Sequence, residues 1–194
     1  MASVSTQKGL MKLEISEIER KLVLSLNEGI DRVNIYKCGL YPTVVTFILV
    51  NGNKVTFRAR DEGIGVRFEV FPITVTEEDI NGEPEKIIDG SYFKGKCNIN
   101  LLEKSEWSVS STEEEKANMV GNGALATTQH EGKESEIPSD AIEHVTLHAG
   151  VEILDENGKS FLVATSMFPF AFYVSNCEFS ESANPNIYER IKLC

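Results

Sequence analysis

His144 and His148 stand four residues apart, a spacing that on a helix would bring two imidazoles to one face, where they could share a metal ion. Val145-Thr146-Leu147 between them alternates as a strand does, and on a strand positions four apart lie roughly 13 Å from each other. A metal held by the pair is thereby excluded, and both read, with His130, as structural or surface groups. No G-x-S-x-G elbow and no local cysteine signature offers a nucleophile. Gly63-Ile64-Gly65 and Gly121-Asn122-Gly123 lack the third glycine and the strand-to-helix setting of a dinucleotide site, and no phosphate-binding G-x-x-x-x-G-K-[ST] loop occurs. Asp61-Glu62 and Asp155-Glu156 fall on turn signals, where acids bond to the local backbone; the second pair also lacks the remaining ligands of a calcium loop. No catalytic residue, cofactor or metal is expected from these patterns.

Three groupings stand above this background. Arg58, Arg60, Asp61, Glu62 and Arg67 form the densest polar set, and strand alternation puts Arg58 and Arg60 on one face. They carry the alternative expectation of an enzyme or small-ligand protein whose site is assembled from separated residues. Met167 to Tyr173 is the densest aromatic stretch, with Phe168, Phe170 and Phe172 at period two. That spacing is what a buried strand face looks like, but Pro169 bars an ordinary central strand. The functional reading makes Phe168, Phe170, Phe172 and Tyr173 aromatic anchors of an interface. Glu113, Glu114 and Glu115 suit a solvated helix start, or the steering of a basic protein partner.

The four cysteines, Cys38, Cys97, Cys177 and Cys194, include no C-x-x-C pair and read as small buried hydrophobes, Cys194 excepted because it closes the chain.

The elements around these groups are mostly strands. Ile15, Ile18, Leu22 and Leu26 recur at helical spacing from Glu14 onward, with Glu14, Glu17, Glu19 and Lys21 for the wet face and Gly29 as the stop. Val33 and Ile35 begin a β-rich region. Asn51-Gly52 separates the run Val44 to Val50 from Lys54 to Arg60, which predicts a hairpin with a type I′ turn. Asp61-Glu62-Gly63 predicts another turn, followed by a strand over Ile64 to Val70 that Pro72 ends or places at an edge. Glu77 to Gly95 reads as loop, and a strand is expected near Cys97, Ile99 and Leu101. Ser111 with Glu114 predicts a short helix over Thr112 to Met119. Asn157-Gly158 sits in a second hairpin, and residues 186–193 suit either a short helix or a closing strand.

The hairpins overlay at an offset of 106: Asn51-Gly52 on Asn157-Gly158, Val55 to Phe57 on Phe161 to Val163, and Val66 to Val70 on Phe172 to Asn176. Upstream, Asp31 to Ile35 meets Glu143 to Leu147. Two readings follow, an internal duplication and the shared chemistry of Asn-Gly hairpins.

Composition limits the rest. The 194 residues carry a formal charge of −11 at 41% hydrophobic content, so the chain can bury a core without metal or disulfide staples, and neither nucleic acid nor an anionic membrane is an expected partner. Nine acids against three lysines put −6 of that charge in residues 103–140. Residues 1–10 read as a flexible leader without the apolar core of a secretory signal, and no run approaches the ~20 residues of a membrane helix. A cytoplasmic location is expected. The fold class expected is α+β and β-rich, antiparallel sheets built from hairpins with one N-terminal helix and two related β-rich halves as one arrangement. Its organisation would be an N-terminal helix with a β-rich half over 11–102, an acidic insertion over 103–140, and a second β-rich half over 141–194 able to join the first in a single domain. The function expected is non-enzymatic protein–protein interaction, an acidic inhibitor or immunity-type binder of a basic protein; a structural component of a larger assembly is the third alternative. Oligomeric state is left open.

Overall fold

A computed structural model describes residues 3–7, 9–64, 68–107, 142–166, 169–176 and 187–194. The one α-helix among the described residues, α1 (Glu17–Ser25), starts where Ser16 and Glu19 close a capping box, each side chain meeting the other's backbone N–H. After one further turn of 3₁₀-helix the chain leaves through Gly29 at φ 109°. Ile15, Val23 and Leu26 are buried, whereas Ile18, expected on the apolar face, is 73% exposed. Glu19, expected on the wet face, is buried, because its carboxylate is drawn inward by backbone partners on both sides.

Within the stretch 1–10, expected as a flexible leader, lie strand β1 (Ser3–Gln7) and the start of β2 (Gly9–Glu14). After α1 come β3 (Ile30–Cys38), β4 (Tyr41–Leu49), β5 (Lys54–Ala59), β6 (Glu62–Ile64), β7 (Phe68–Val70), β8 (Ile73–Thr76) and β9 (Lys86–Asp89). Then follow β10 (Asn98–Trp107), β11 (Ile142–Leu154), β12 (Ser160–Thr165), β13 (Phe172–Val174) and β14 (Glu189–Lys192). One sheet runs β8-β5-β4-β3-β9; the other contains β13-β12-β11-β10-β14, with β2 and β1 added beside β11. Among the described residues all strand pairs are antiparallel except β2 with β11. Alternate residues of both sheets, among them Val33, Phe47 and Phe57 on one and Ile99, Ile153 and Phe161 on the other, share a single buried cluster. Phe47 meets Phe57 and Phe161 edge to face at 5.5 and 6.1 Å, so the sheets stack as the layers of a sandwich around one core. The fold is α+β and β-rich, built from hairpins.

Both Asn-Gly hairpins form, but not with type I′ turns. Leu49 N–H donates to Asn53 O and Gly52 N–H to Leu49 O; Asp155 N–H donates to Lys159 O and Gly158 N–H to Asp155 O. These are three-residue loops with only the glycine at positive φ, 89° at Gly52 and 76° at Gly158, since Asn51 and Asn157 keep negative φ. Glu62–Ile64 pairs with Phe68–Val70, so the strand expected over Ile64 to Val70 is divided: Ile64 ends one arm of a small hairpin and Phe68–Val70 is the other. Glu77 to Gly95 is not all loop, because Lys86–Asp89 pairs with β3 as an edge strand. Residues 103–107, expected at the start of the acidic insertion, continue β10 through Trp107. Within the tail, Glu189–Lys192 forms strand β14, the closing strand of the two alternatives.

The two sheets share a strand order, and the offset of 106 holds for β4 against β11 and β5 against β12. The outer matches shift. Val33 pairs with Phe47 as Ile99 pairs with Ile153, so β3 corresponds to β10 and not to Glu143 to Leu147. Phe57 pairs with Val75 as Val163 pairs with Val174, so β13 corresponds to β8 and not to Val66 to Val70. The β6–β7 excursion between β5 and β8 displaces the linear match. The repeat is one of topology, and common descent of the halves is not established by it. Among the described residues no helix is long and apolar enough to cross a membrane.

Candidate functional site

Among the described residues, a cluster of titratable groups lies where β2 and β10 flank β11. Leu147 is level with Leu13 and His148 with Glu103, so Glu14, Glu103 and His148 come from three adjacent strands with their ligand atoms within 4.8 Å of one another. His148 is 1% exposed. Its Nδ1 accepts the Ile15 N–H at 3.0 Å. A backbone N–H can only donate, so the neutral ring carries its proton on Nε2. That nitrogen has no hydrogen-bond partner among the described residues and stands 4.0 Å from Glu103 Oε2. Burial pushes the His148 pKa down to about 4; Glu14 opposes the shift, and Arg20 and Lys12 add to it. Burial pushes the Glu103 carboxyl up, against the pull of Lys12.

Three metal-ligand types meet here, yet the hydrogen bonds argue against a metal. A ring bound through Nε2 would need its proton on Nδ1, where it would face the Ile15 N–H donor against donor. Catalysis fits no better, since an enclosed imidazole cannot approach a substrate within hydrogen-bond reach. What the arrangement does is pin the junction of β2 and α1 to β11. His144 and His148 both lie on β11, the strand that the alternation between them predicts; His130 lies outside the described residues. Nothing local in the sequence marks Glu14 or Glu103, which reach His148 only through strand pairing.

The aromatic stretch is divided. Phe168 lies outside the described residues. Phe172 is fully buried in the sandwich core, and Tyr173 is half-buried against the second apolar cluster, which forms around Leu102, Val145 and Leu147. Phe170 alone of the described aromatics here is at the surface, 48% exposed. It belongs to the turn between β12 and β13, closed by the Ser166 N–H to Ala171 O bond, and its φ is 58°. That left-handed backbone breaks the period-two pattern, so Phe170 and Phe172 do not share a face. The Phe170 ring rests edge to face on Phe71 at 5.8 Å. Glu113, Glu114, Glu115 and the helix expected over Thr112 to Met119 lie outside the described residues.

The arginine set is not brought to one place. Arg58 bonds Glu78 through Nε and Nη2 at 3.1 and 3.3 Å, while Arg60 pairs with Glu62 at 2.6 Å and lines an open groove of about 540 Å³ between α1 and β8. Asp61 is exposed, and Arg67 lies outside the described residues. Asp155 performs the expected turn chemistry, accepting from the N–H groups of Asn157 and Lys159, and the Lys159 bond above all holds its carboxyl below the usual range. Cys97 is buried, but Cys38 is exposed, because β3 ends there at the turn into β4; Cys177 lies outside the described residues. No family model, no curated protein and no solved structure matches the chain, so its function rests on its own residues.

Proposed function

We propose that the chain is a non-enzymatic protein-binding sandwich whose partner is a basic protein, with Phe170 as the apolar anchor and the acidic stretch 103–140 as the source of attraction. The observation that carries this is the backbone of Phe170. A bulky residue in the left-handed region costs roughly 1–3 kcal/mol, and such strain persists where its surroundings enforce it, often at recognition sites. Here it sets a half-exposed ring at the end of the sandwich, braced by Phe71. A rigid exposed aromatic binds with little loss of conformational entropy, which is why such residues anchor interfaces. The acidic stretch would speed encounter and oppose nucleic acid and anionic surfaces.

The test compares three forms of the chain in affinity capture from the native host with identification by mass spectrometry, followed by binding curves against the purified partner. The forms are the full chain, Phe170→Ala, and a chain in which residues 109–140 are replaced by a short Gly-Ser turn. Phe170→Ala should weaken binding at least about 10-fold. The excision should slow association and flatten its dependence on salt between low and physiological ionic strength. Unchanged binding in both variants, or a captured partner that is itself acidic, would sink the reading.

A further inference from the structure

We infer that His148 is an acid-released latch on α1: protonation of its ring frees the Ile15 amide, loosens the start of the helix and uncovers the edge of β8. The chain of contacts is continuous. Ile15 N–H donates to His148 Nδ1 at 3.0 Å. The next residue is the helix cap: Ser16 gives its N–H and its hydroxyl to Glu19 Oε2 at 2.8 and 2.7 Å. The other oxygen of that carboxylate, Glu19 Oε1, accepts the N–H of Val75 at 3.1 Å. Val75 belongs to β8, the edge strand of its sheet, so this bond closes a donor that would otherwise be open to pairing.

An imidazolium donates from both nitrogens, so a protonated His148 turns a donor toward the Ile15 donor and the bond is lost. The same proton strengthens the other side of the ring, where Nε2 has no hydrogen-bond partner among the described residues and the Glu103 carboxylate stands 4.0 Å away. The ring therefore has two competing arrangements, one holding Ile15 and one turned to the carboxylates. The charged groups that face it are Lys12 and Glu14 from β2, Glu19 and Arg20 from α1, and Glu103 from β10. Because the closed form holds the ring pKa below its ordinary value, protons favour the open form, and the latch weakens as pH falls through the window from 6.5 to about 4.

The experiment is amide hydrogen exchange by NMR at pH 6 and pH 4, corrected for the intrinsic exchange rate. With an ordinary histidine in the open form, protection at Ile15 and Val75 should fall about 40-fold between these pH values. Phe47 and Ile153, in the core strands, feel this proton only through global unfolding and should stay far better protected than Ile15 and Val75 at both pH values. His148→Gln offers Ile15 an acceptor that does not titrate, and its Ile15 and Val75 protection should stay level; loss driven by Glu19 instead would persist in that variant and overturn the proposal. Were His148→Gln not to fold, the unaltered chain decides, since the opening must share its midpoint with the titration of the His148 ring signals. Retained protection at pH 4, protection at Ile15 and Val75 no lower than that at Phe47 and Ile153, or opening without ring titration would each overturn it.

Discussion

Glu152 shows how a carboxylate is kept inside a sheet. Burial raises its pKa, but the Arg190 guanidinium at 2.8 and 3.3 Å, Asn100 at 3.0 Å and Ser160 at 3.0 Å outweigh that and hold the group ionised. Its four contacts come from β10, β12 and β14, so one side chain on β11 ties three neighbours together. Removing the guanidinium leaves a buried negative charge with two neutral donors. Arg190→Ala should therefore cost about 2 kcal/mol in urea unfolding, less than a fully enclosed pair because Arg190 is partly solvated. The double variant Arg190→Ala with Glu152→Gln should recover about half of that loss, and an Arg190→Ala chain as stable as the parent would contradict the account. His148 is the opposite case, with one nitrogen satisfied and the other not, and that imbalance allows it two states.

At the scale of elements, glycine has two distinct uses. Gly158 sits in a turn at φ 76°, with open space where a Cβ would go. Gly150 lies where β11 and β12 approach, and a Cβ there would run into the Val163 carbonyl oxygen and the Ala164 Cα, both backbone. Gly158→Ala should cost about 1 kcal/mol, the strain of a left-handed alanine. Gly150→Ala should cost about 2–4 kcal/mol, because the strands must part or the register must shift. Thermal or urea unfolding of the two variants separates these effects, and equal costs would show that the close approach is relaxed at little expense. The helix gives a related lesson. Its spacing and stop were legible in Ile15, Leu22, Leu26 and Gly29, but the capping box on Ser16 and the inward turn of Glu19 were not, since a glutamate beside a helix start is equally suited to solvent.

For the whole molecule, the pairing of Trp107 with His144 has a direct consequence. The strands on either side of residues 108–141 already meet as the arms of a hairpin, so the sandwich does not depend on that stretch to bring them together. Replacing 109–140 with a short Gly-Ser turn should leave the unfolding midpoint within a few degrees while removing much of the chain's acidity. A large drop would show that the excised residues pack on the sandwich. The same pairing sharpens the charge argument, because Glu103 and Glu106 belong to strand β10 and only the remainder of the acidic stretch is free to be excised.

Alternation in Val33 to Ile35, Val145 to Leu147 and Phe161 to Thr165, with Asn-Gly between runs, determined that this chain is a set of antiparallel hairpins. Period and turn chemistry are local, so sequence alone carries them. Local chemistry also suggested a likeness between the hairpins at Asn51 and Asn157. It could not say that β8 answers to β13 and β3 to β10, because the β6–β7 excursion and the residues beyond Trp107 break the linear correspondence. The meeting of Glu14, Glu103 and His148, the burial of Phe172 beside the exposure of Phe170, and the reach of Glu19 to Val75 were decided by tertiary structure. Each depends on which strands lie side by side, and that is settled by long-range pairing around a common core rather than by any residue's neighbours in sequence.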